Sequence, residues 1–400
     1  MKIVHIEDFF HPDAGYQVNI LSKYMAALGH EVYVITSEMD KMPSYLTSFF
    51  GKENLPEKDE RFEKKYGVKI IRIPLKRYIS GRSVYSGVIF KTVENIKPDI
   101  LYVHGNDTLI GIQYIMRNRK CDFPIISDSH MLEMASANRF KKAFRWVYSH
   151  VVAKRIIKDR ITVIRVQDNP YVEKCLGIPL TQCPWISFGS DLMLFNRKTE
   201  LKELFRKENG IDEKDRIFLY AGKLDEAKGG AILADAIKEH IEGANGGRAV
   251  FVIVGNTVGE YGQKVEKTFS ESGNRIFRYP TQKYADLAQY YQVADVAVFP
   301  RQCSLSFYDV QACGLPVIVE DNEINIERTT HDNGSTFKAE SSNALRNEIE
   351  KFLNLPEAEF NRISENSERF IKENYDYMNI TKEYISVIEK AIERYREGKH

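Results

Sequence analysis

Residues 2–35 read as strand, loop, helix, strand. Ile3-Val4-His5-Ile6 is strand-like, and Asp8 to Gly15 is rich in turn residues. Val18, Leu21, Met25 and Leu28 fall at helical spacing up to Gly29, and Val32-Tyr33-Val34-Ile35 is the next strand. A helix between two strands this close requires a parallel pair joined by a right-handed crossover. Open sheets of this kind bind ligands beyond the carboxyl ends of their strands. The first such end here lacks a full Gly-x-Gly-x-x-Gly, so a dinucleotide fingerprint is absent.

The alternation continues along the chain. Further strands are expected at 70–73, 99–104, 124–130 and 162–166, with a helix over 84–96. In the second half strands are expected at 216–221, 250–254, 275–279, 295–299 and 316–319. Helices fall between them at 230–241, 261–271, 283–292 and 307–313. The pattern predicts an α/β protein of two Rossmann-like, doubly wound domains facing across a cleft. Their expected bounds are 1–195 and 196–375. A helix over 376–400 is expected to pack back on the first domain.

Composition narrows the class. No run of about 18 apolar residues exists, which argues against a membrane-spanning helix. Met1-Lys2 leads straight into a strand, so no signal peptide is expected. Five scattered cysteines have neither zinc nor redox-pair spacing, which suits a reducing, cytoplasmic setting. Residues 1–200 hold 30 Lys/Arg against 22 Asp/Glu, and residues 201–400 hold 27 against 34. Residues 139–160 concentrate the basic charge around Phe140, Phe144, Trp146 and Tyr148, opposed only by Asp159. Such a helix can lie on an anionic membrane, or it can pack its apolar face on its own sheet. Nucleic-acid binding finds no supporting motif elsewhere. Residues 40–66 form a long insert in which Tyr45, Leu46, Phe49 and Phe50 sit among charges. It reads as a binding loop or as a segment packed on the domain.

Several strand ends carry reactive residues. Ile217 to Ala221 is a buried-strand run that stops at Gly222, and Lys223 and Lys228 follow, with Gly229-Gly230 behind them. Cations and free helix N–H groups in such a turn can hold phosphate; a plain βα turn with solvated lysines reads equally well. The strand at 99–104 ends on His104, then Gly105, Asn106 and Asp107. The strand at 124–130 ends on Asp128 and His130. Gly255 closes another strand, and Ser304 to Tyr308 is a further βα loop.

Together these fragments resemble glycosyltransferase family 4, of GT-B fold, over nearly the whole length. Gly15 followed by Leu28-Gly29-His30-Glu31-Val32 is similar to that family's glycine loop and helix end. Gly189-Ser190-Asp191 with Phe195 is similar to its interdomain motif. Lys223 and Lys228 stand at the Arg and Lys of its Gly-Arg-Leu-x-x-x-Lys-Gly. Ala294 to Pro300 and Ala312 to Ile318 frame its donor motif. Three departures stand out. Arg301 replaces the first Glu of the Glu-x7-Glu motif, and Asp309 replaces the second. Asn19 replaces a His.

The resemblance implies a retaining transfer from a nucleotide-diphosphate sugar, such as a UDP or GDP sugar, without a metal or other cofactor. Lys223, Lys228, His130 and Asp128 are the implied catalytic residues. The donor would meet Gly15, Gly222, Lys223, Lys228, Gly255, Tyr279, Arg301, Ser304, Leu305 and Asp309. His104, Asn106 and Asp107 would meet a glycan or lipid-linked acceptor, as in bacterial surface-polysaccharide synthesis at the inner face of the membrane. A sugar-nucleotide epimerase and a nucleotide-sugar-binding protein without turnover remain as alternatives. The first needs no acceptor, and Arg301 and Asn19 motivate the second.

Overall fold

The computed structural model describes residues 1–43, 50–51, 53–79, 81–130, 140–301 and 304–398. Tyr45, Leu46 and Phe49 of the insert, Arg139, and Gln302-Cys303 lie outside these residues. The chain forms two compact units: Met1–Phe188 with Tyr377–His400, and Gly189–Asp376.

In the first unit the strands are β1 (Lys2–Ile6), β2 (Glu31–Ser37), β3 (Val68–Ile73), β4 (Leu75–Ile79), β5 (Arg82–Tyr85), β6 (Ile100–Val103), β7 (Ile125–Ser129) and β8 (Thr162–Arg165). Six of them make a parallel sheet in the order β3-β2-β1-β6-β7-β8. The order reverses between β1 and β6, so the crevice expected to take ligand lies beyond their carboxyl ends. β4 and β5 form a separate antiparallel hairpin. The expected helix over 84–96 therefore starts late, at Val88, because Arg82 to Tyr85 pair with β4.

In the second unit the strands are β9 (Arg216–Ala221), β10 (Ala249–Val254), β11 (Arg275–Tyr279), β12 (Val296–Phe299), β13 (Val317–Glu320) and β14 (Gly334–Phe337). Their order is β11-β10-β9-β12-β13-β14, all parallel, with the reversal between β9 and β12. The six residues of β10 are buried on both faces, as a sheet covered by helices on each side requires. β14 escapes the sequence pattern because Gly-Ser-Thr-Phe offers no apolar run.

The helix Tyr377–Glu397 belongs to the first unit. Tyr377, Ile380, Tyr384, Ile388 and Ile392 recur at helical spacing and are buried. The Tyr377 ring stacks on Tyr24 at 6.4 Å, and Gln17 Nε2 donates to the Tyr384 hydroxyl at 2.5 Å.

A buried ion cluster anchors the switch-point strands of the second unit. The Asp295 carboxylate, 3% exposed, accepts from Lys202 at 2.6 Å, Arg206 at 2.5 Å and the Ile217 N–H at 2.7 Å. It ties the start of β9 to the start of β12. Burial alone would raise its pKa, but Lys202 and Arg206 outweigh that and hold the carboxyl below its ordinary value. Asp295→Ala strands two cations and a backbone donor, so it should destabilise the unit by about 3 kcal/mol, read as a shift in denaturant midpoint.

Candidate functional site

In the first unit the site is built around Asp128, next to last in β7. Its carboxylate is fully buried and takes four donors among the described residues. Oδ2 accepts from the Tyr102 hydroxyl and His104 Nδ1, both at 2.8 Å. Oδ1 accepts from the Gly105 N–H at 2.6 Å and from His130 Nε2 at 3.2 Å. Because His104 Nδ1–H donates to Asp128, its Nε2 is left to accept from His5 Nδ1 at 3.0 Å. Tyr384 is bonded to Tyr102, which extends the chain of contacts to the C-terminal helix. Burial opposes the Asp128 charge, yet His130 and His104 outweigh it and hold the carboxyl well below its ordinary value. Burial likewise opposes protonation of His130, and Asp128 reverses this and raises it. His130 is 38% exposed, so it is the member of this network that reaches outward.

His104 and Asn106 were expected at the acceptor. The structure makes them inner supports, because they are 3% and 0% exposed. His104 holds Asp128, and Asn106 Nδ2 donates to the Tyr148 hydroxyl at 3.0 Å. Asp107 pairs with Arg82 at 2.7 Å. His104, Asp128 and His130 bring one ligand atom each within 4.8 Å of one another, which is suitable spacing for a metal ion. Both carboxylate oxygens are already saturated, however, so a metal would have to displace two of these donors.

Two acids at the end of β1 escaped the sequence reading. Burial raises Glu7, against the opposing pull of His104 and His130. Burial, reinforced by Glu7, pushes Asp8 up to about 7. Asp8 Oδ2 accepts from the Ser83 N–H at 3.2 Å, so the β4–β5 hairpin is fastened to this strand end. Their position directly after the switch-point strand was the available signal. Gly15 lies half-buried in the loop that follows. Asn19 Nδ2 donates to the His11 carbonyl at 2.9 Å and helps to hold that loop.

In the second unit the lysine turn follows β9. Gly255 permits its close approach to β10, since a Cβ there would lie 1.8 Å from the Gly222 carbonyl oxygen. The Tyr220 hydroxyl fixes the Lys223 carbonyl at 2.5 Å. Lys223 is exposed and Lys228 half-buried. Free backbone donors were expected here, and the structure spends four of them within the fold. Lys228 N–H goes to Asp225, Gly229 N–H to the Glu226 carbonyl, and Gly230 N–H to the Asp225 carbonyl. The Ala231 N–H goes to the Tyr261 hydroxyl at 2.7 Å. A 3-10 turn at Glu226–Lys228 and a helix of seven residues, Gly230–Ala236, replace the longer expected helix. The turn therefore offers an anion its lysine charge, with four of its backbone donors already spent.

Arg301 braces this turn across the switch point. Its Nη1 donates to the Glu226 carbonyl at 2.8 Å, and its Nη2 pairs with Glu340. A Cβ on Gly229 would stand 3.0 Å from the Arg301 Cβ, so the two segments are in close contact. The Ser304 hydroxyl accepts from the Ser306 N–H, and the Ser304 carbonyl accepts from Arg328, a cation that sequence reading missed. Leu305 is 55% exposed beside them. Asp309 is 8% exposed and accepts from the Ser190 hydroxyl at 2.7 Å; burial raises it well above the carboxylate range. Tyr279, on the edge strand β11, sets its ring against Tyr290 at 4.8 Å.

Residues 202–375 match the family model described as Glycosyl transferases group 1. The D-inositol 3-phosphate glycosyltransferase of Segniliparus rotundus is 28% identical over 135 residues. That match covers 32% of this chain and only 30% of that protein. Among solved structures, a glycosyltransferase from Rickettsia africae superposes with a TM-score of 0.72 at 14% identity, covering 98% of each chain. Anabaena Alr3699/HepE, in complex with UDP and glucose, gives 0.67 at 15% identity over 98% of this chain and 100% of its own. WaaG, a glycosyltransferase involved in lipopolysaccharide biosynthesis, gives 0.63 at 13% identity over 96% and 99%. These likenesses establish the fold, GT-B, with its two parallel-sheet α/β domains.

The raised Asp8 predicts a pH dependence. A carboxyl lifted from 3.8 to about 7 favours folding while it is protonated. That contribution is complete below about pH 4 and is lost as the pH rises through about 7. Asp8→Asn keeps an acceptor for the Ser83 N–H but cannot ionise. Its melting temperature should therefore gain on that of the native chain between about pH 4 and 8, in a differential scanning series. Parallel curves would sink the assignment.

Proposed function

We propose that this chain is a glycosyltransferase that moves a sugar from a nucleotide-diphosphate sugar to a hydroxyl of a glycan or lipid-linked acceptor. The observation that carries the reading is the Lys223/Lys228 turn. It stands at the strand-order reversal of the second unit, inside the residues that match the group 1 model. The UDP and glucose bound by the Anabaena neighbour support a UDP-sugar donor. The likeness to family 4 supports retention at the anomeric carbon without a metal. The WaaG neighbour supports a role in bacterial surface-glycan assembly.

In this reading the bond from C1 to the diphosphate oxygen breaks, and its electron pair leaves with the diphosphate. The acceptor oxygen forms the new bond to C1, and its proton passes to the departing phosphate. Negative charge grows on the diphosphate as the bond lengthens. Lys223 and Lys228 stabilise that charge more in the transition state than in the ground state. Arg301 acts through them by fixing the turn. His130, whose protonated form Asp128 favours, donates to a hydroxyl of the donor sugar or acceptor. The buried network prevents its ring from turning away.

A thermal-shift panel with UDP, GDP, ADP, CMP and dTDP sugars tests the donor site. The correct nucleotide at roughly a hundred times its dissociation constant should add about 2.7 kcal/mol. Lys223→Ala/Lys228→Ala should abolish that shift, and each single variant should lower kcat by about a hundredfold. If no nucleotide moves the melting temperature, the reading fails. Proton NMR of the first-formed product, run with and without EDTA, tests retention and metal independence. An inverted anomer, or loss of turnover with EDTA, would refute those parts.

A further inference from the structure

We infer that the outward face of the helical segment 141–159 is a docking surface for an anionic lipid bilayer. The segment runs as α-helix Lys141–Val147, a π turn Tyr148–Val152 and α-helix Ala153–Asp159. Its inner face is already satisfied. Tyr148, Val152, Ala153 and Ile156 are buried in a core with Ile115, Ile161 and Val163. The sequence left two fates open for the apolar residues here, packing or membrane contact, and the structure assigns a different set to each face. Trp146, Val147, Val151 and Ile157 are 64%, 50%, 48% and 38% exposed. They lie along one side at successive separations of one, four and six residues, and Phe140, 73% exposed, stands at its start.

Charge identifies the occupant. Lys142, Lys154 and Lys158 are exposed along the same stretch. Asp159 is the one acid between residues 140 and 160, and it is consumed by Arg155 at 2.7 Å and Arg119 at 2.8 Å. The face therefore presents aromatic and aliphatic side chains fringed by cations. That composition lies in the plane of a membrane interface, with the apolar side chains among the acyl chains and lysines at anionic headgroups. A second copy of the same face would oppose lysine to lysine. A nucleic acid would leave Val147, Val151 and Ile157 without a partner. No helix among the described residues is long and apolar enough to cross a bilayer, so attachment by this face is peripheral. The inference stands apart from the transfer reaction, because its test needs no donor or acceptor.

Trp146 and Trp185 are the chain's two tryptophans, so Trp185→Phe leaves Trp146 as a single reporter inside the proposed contact. The full chain with that change is titrated with vesicles of phosphatidylglycerol and phosphatidylcholine, and with vesicles of phosphatidylcholine alone. Anionic vesicles should shift Trp146 emission to the blue and sediment the protein, and high salt should weaken both effects. Lys142→Glu/Lys154→Glu/Lys158→Glu should lower the partition coefficient by roughly a hundredfold. Val147→Ser/Val151→Ser should weaken sedimentation by about tenfold while leaving the circular dichroism and melting temperature unchanged. No blue shift with anionic vesicles overturns the inference. Equal binding to neutral vesicles also overturns it. A blue shift that follows protein concentration without lipid would make the face a contact between copies instead.

Discussion

The first unit depends on one buried carboxylate. A charge as enclosed as Asp128 costs many kcal/mol unless each oxygen is met by a donor. Its partners come from β6, the loop after β6, the residue after β7 and, through Tyr102 and Tyr384, the C-terminal helix. Satisfying the charge therefore fixes the ends of the central strands and the helix behind them. The exposed member, His130, inherits its position and its raised pKa from that enclosure.

The second unit solves a different problem. Its switch-point turn spends four backbone donors internally, on Asp225, Glu226 and Tyr261, and carries two lysines beside them. Charge of this kind tolerates variation in ligand geometry, whereas directed N–H groups do not. The Arg301 clasp to the Glu226 carbonyl and Glu340 then provides the rigidity that a capped helix end would have given. A charge reversal in the sequence motif is thus explained locally, by a contact within the fold.

The sheets were readable because their strands are short apolar runs separated by amphipathic helices, as at Val250 to Val254. β14 and the β4–β5 hairpin were not, since Gly334 to Phe337 and Lys76 to Arg82 carry little apolar signal. The site was legible as strand ends. Asp128 and His130 lie at the end of β7, and Lys223 and Lys228 lie in the turn that follows β9. Partnership was not legible. Nothing in one dimension places Tyr384 beside Tyr102, Glu340 beside Arg301 or Ser190 beside Asp309, because each pair is joined only through the folded sheet. Burial was equally hidden, and it separates His104 from His130 although both are histidines at strand ends.

The helix Tyr377–Glu397 gives the chain an order of assembly. During synthesis the residues from Met1 to Phe188 emerge first, yet their unit still lacks the side chain of Tyr384. Gly189 to Asp376 are contiguous and can close their own core before that helix leaves the ribosome. Domains generally fold as units in the order in which they are made. Here the first-made unit finishes last. Tyr102 and Gln17 gain their Tyr384 partner only once that helix is made, so the polar network around Asp128 is completed after the whole second unit has been synthesised.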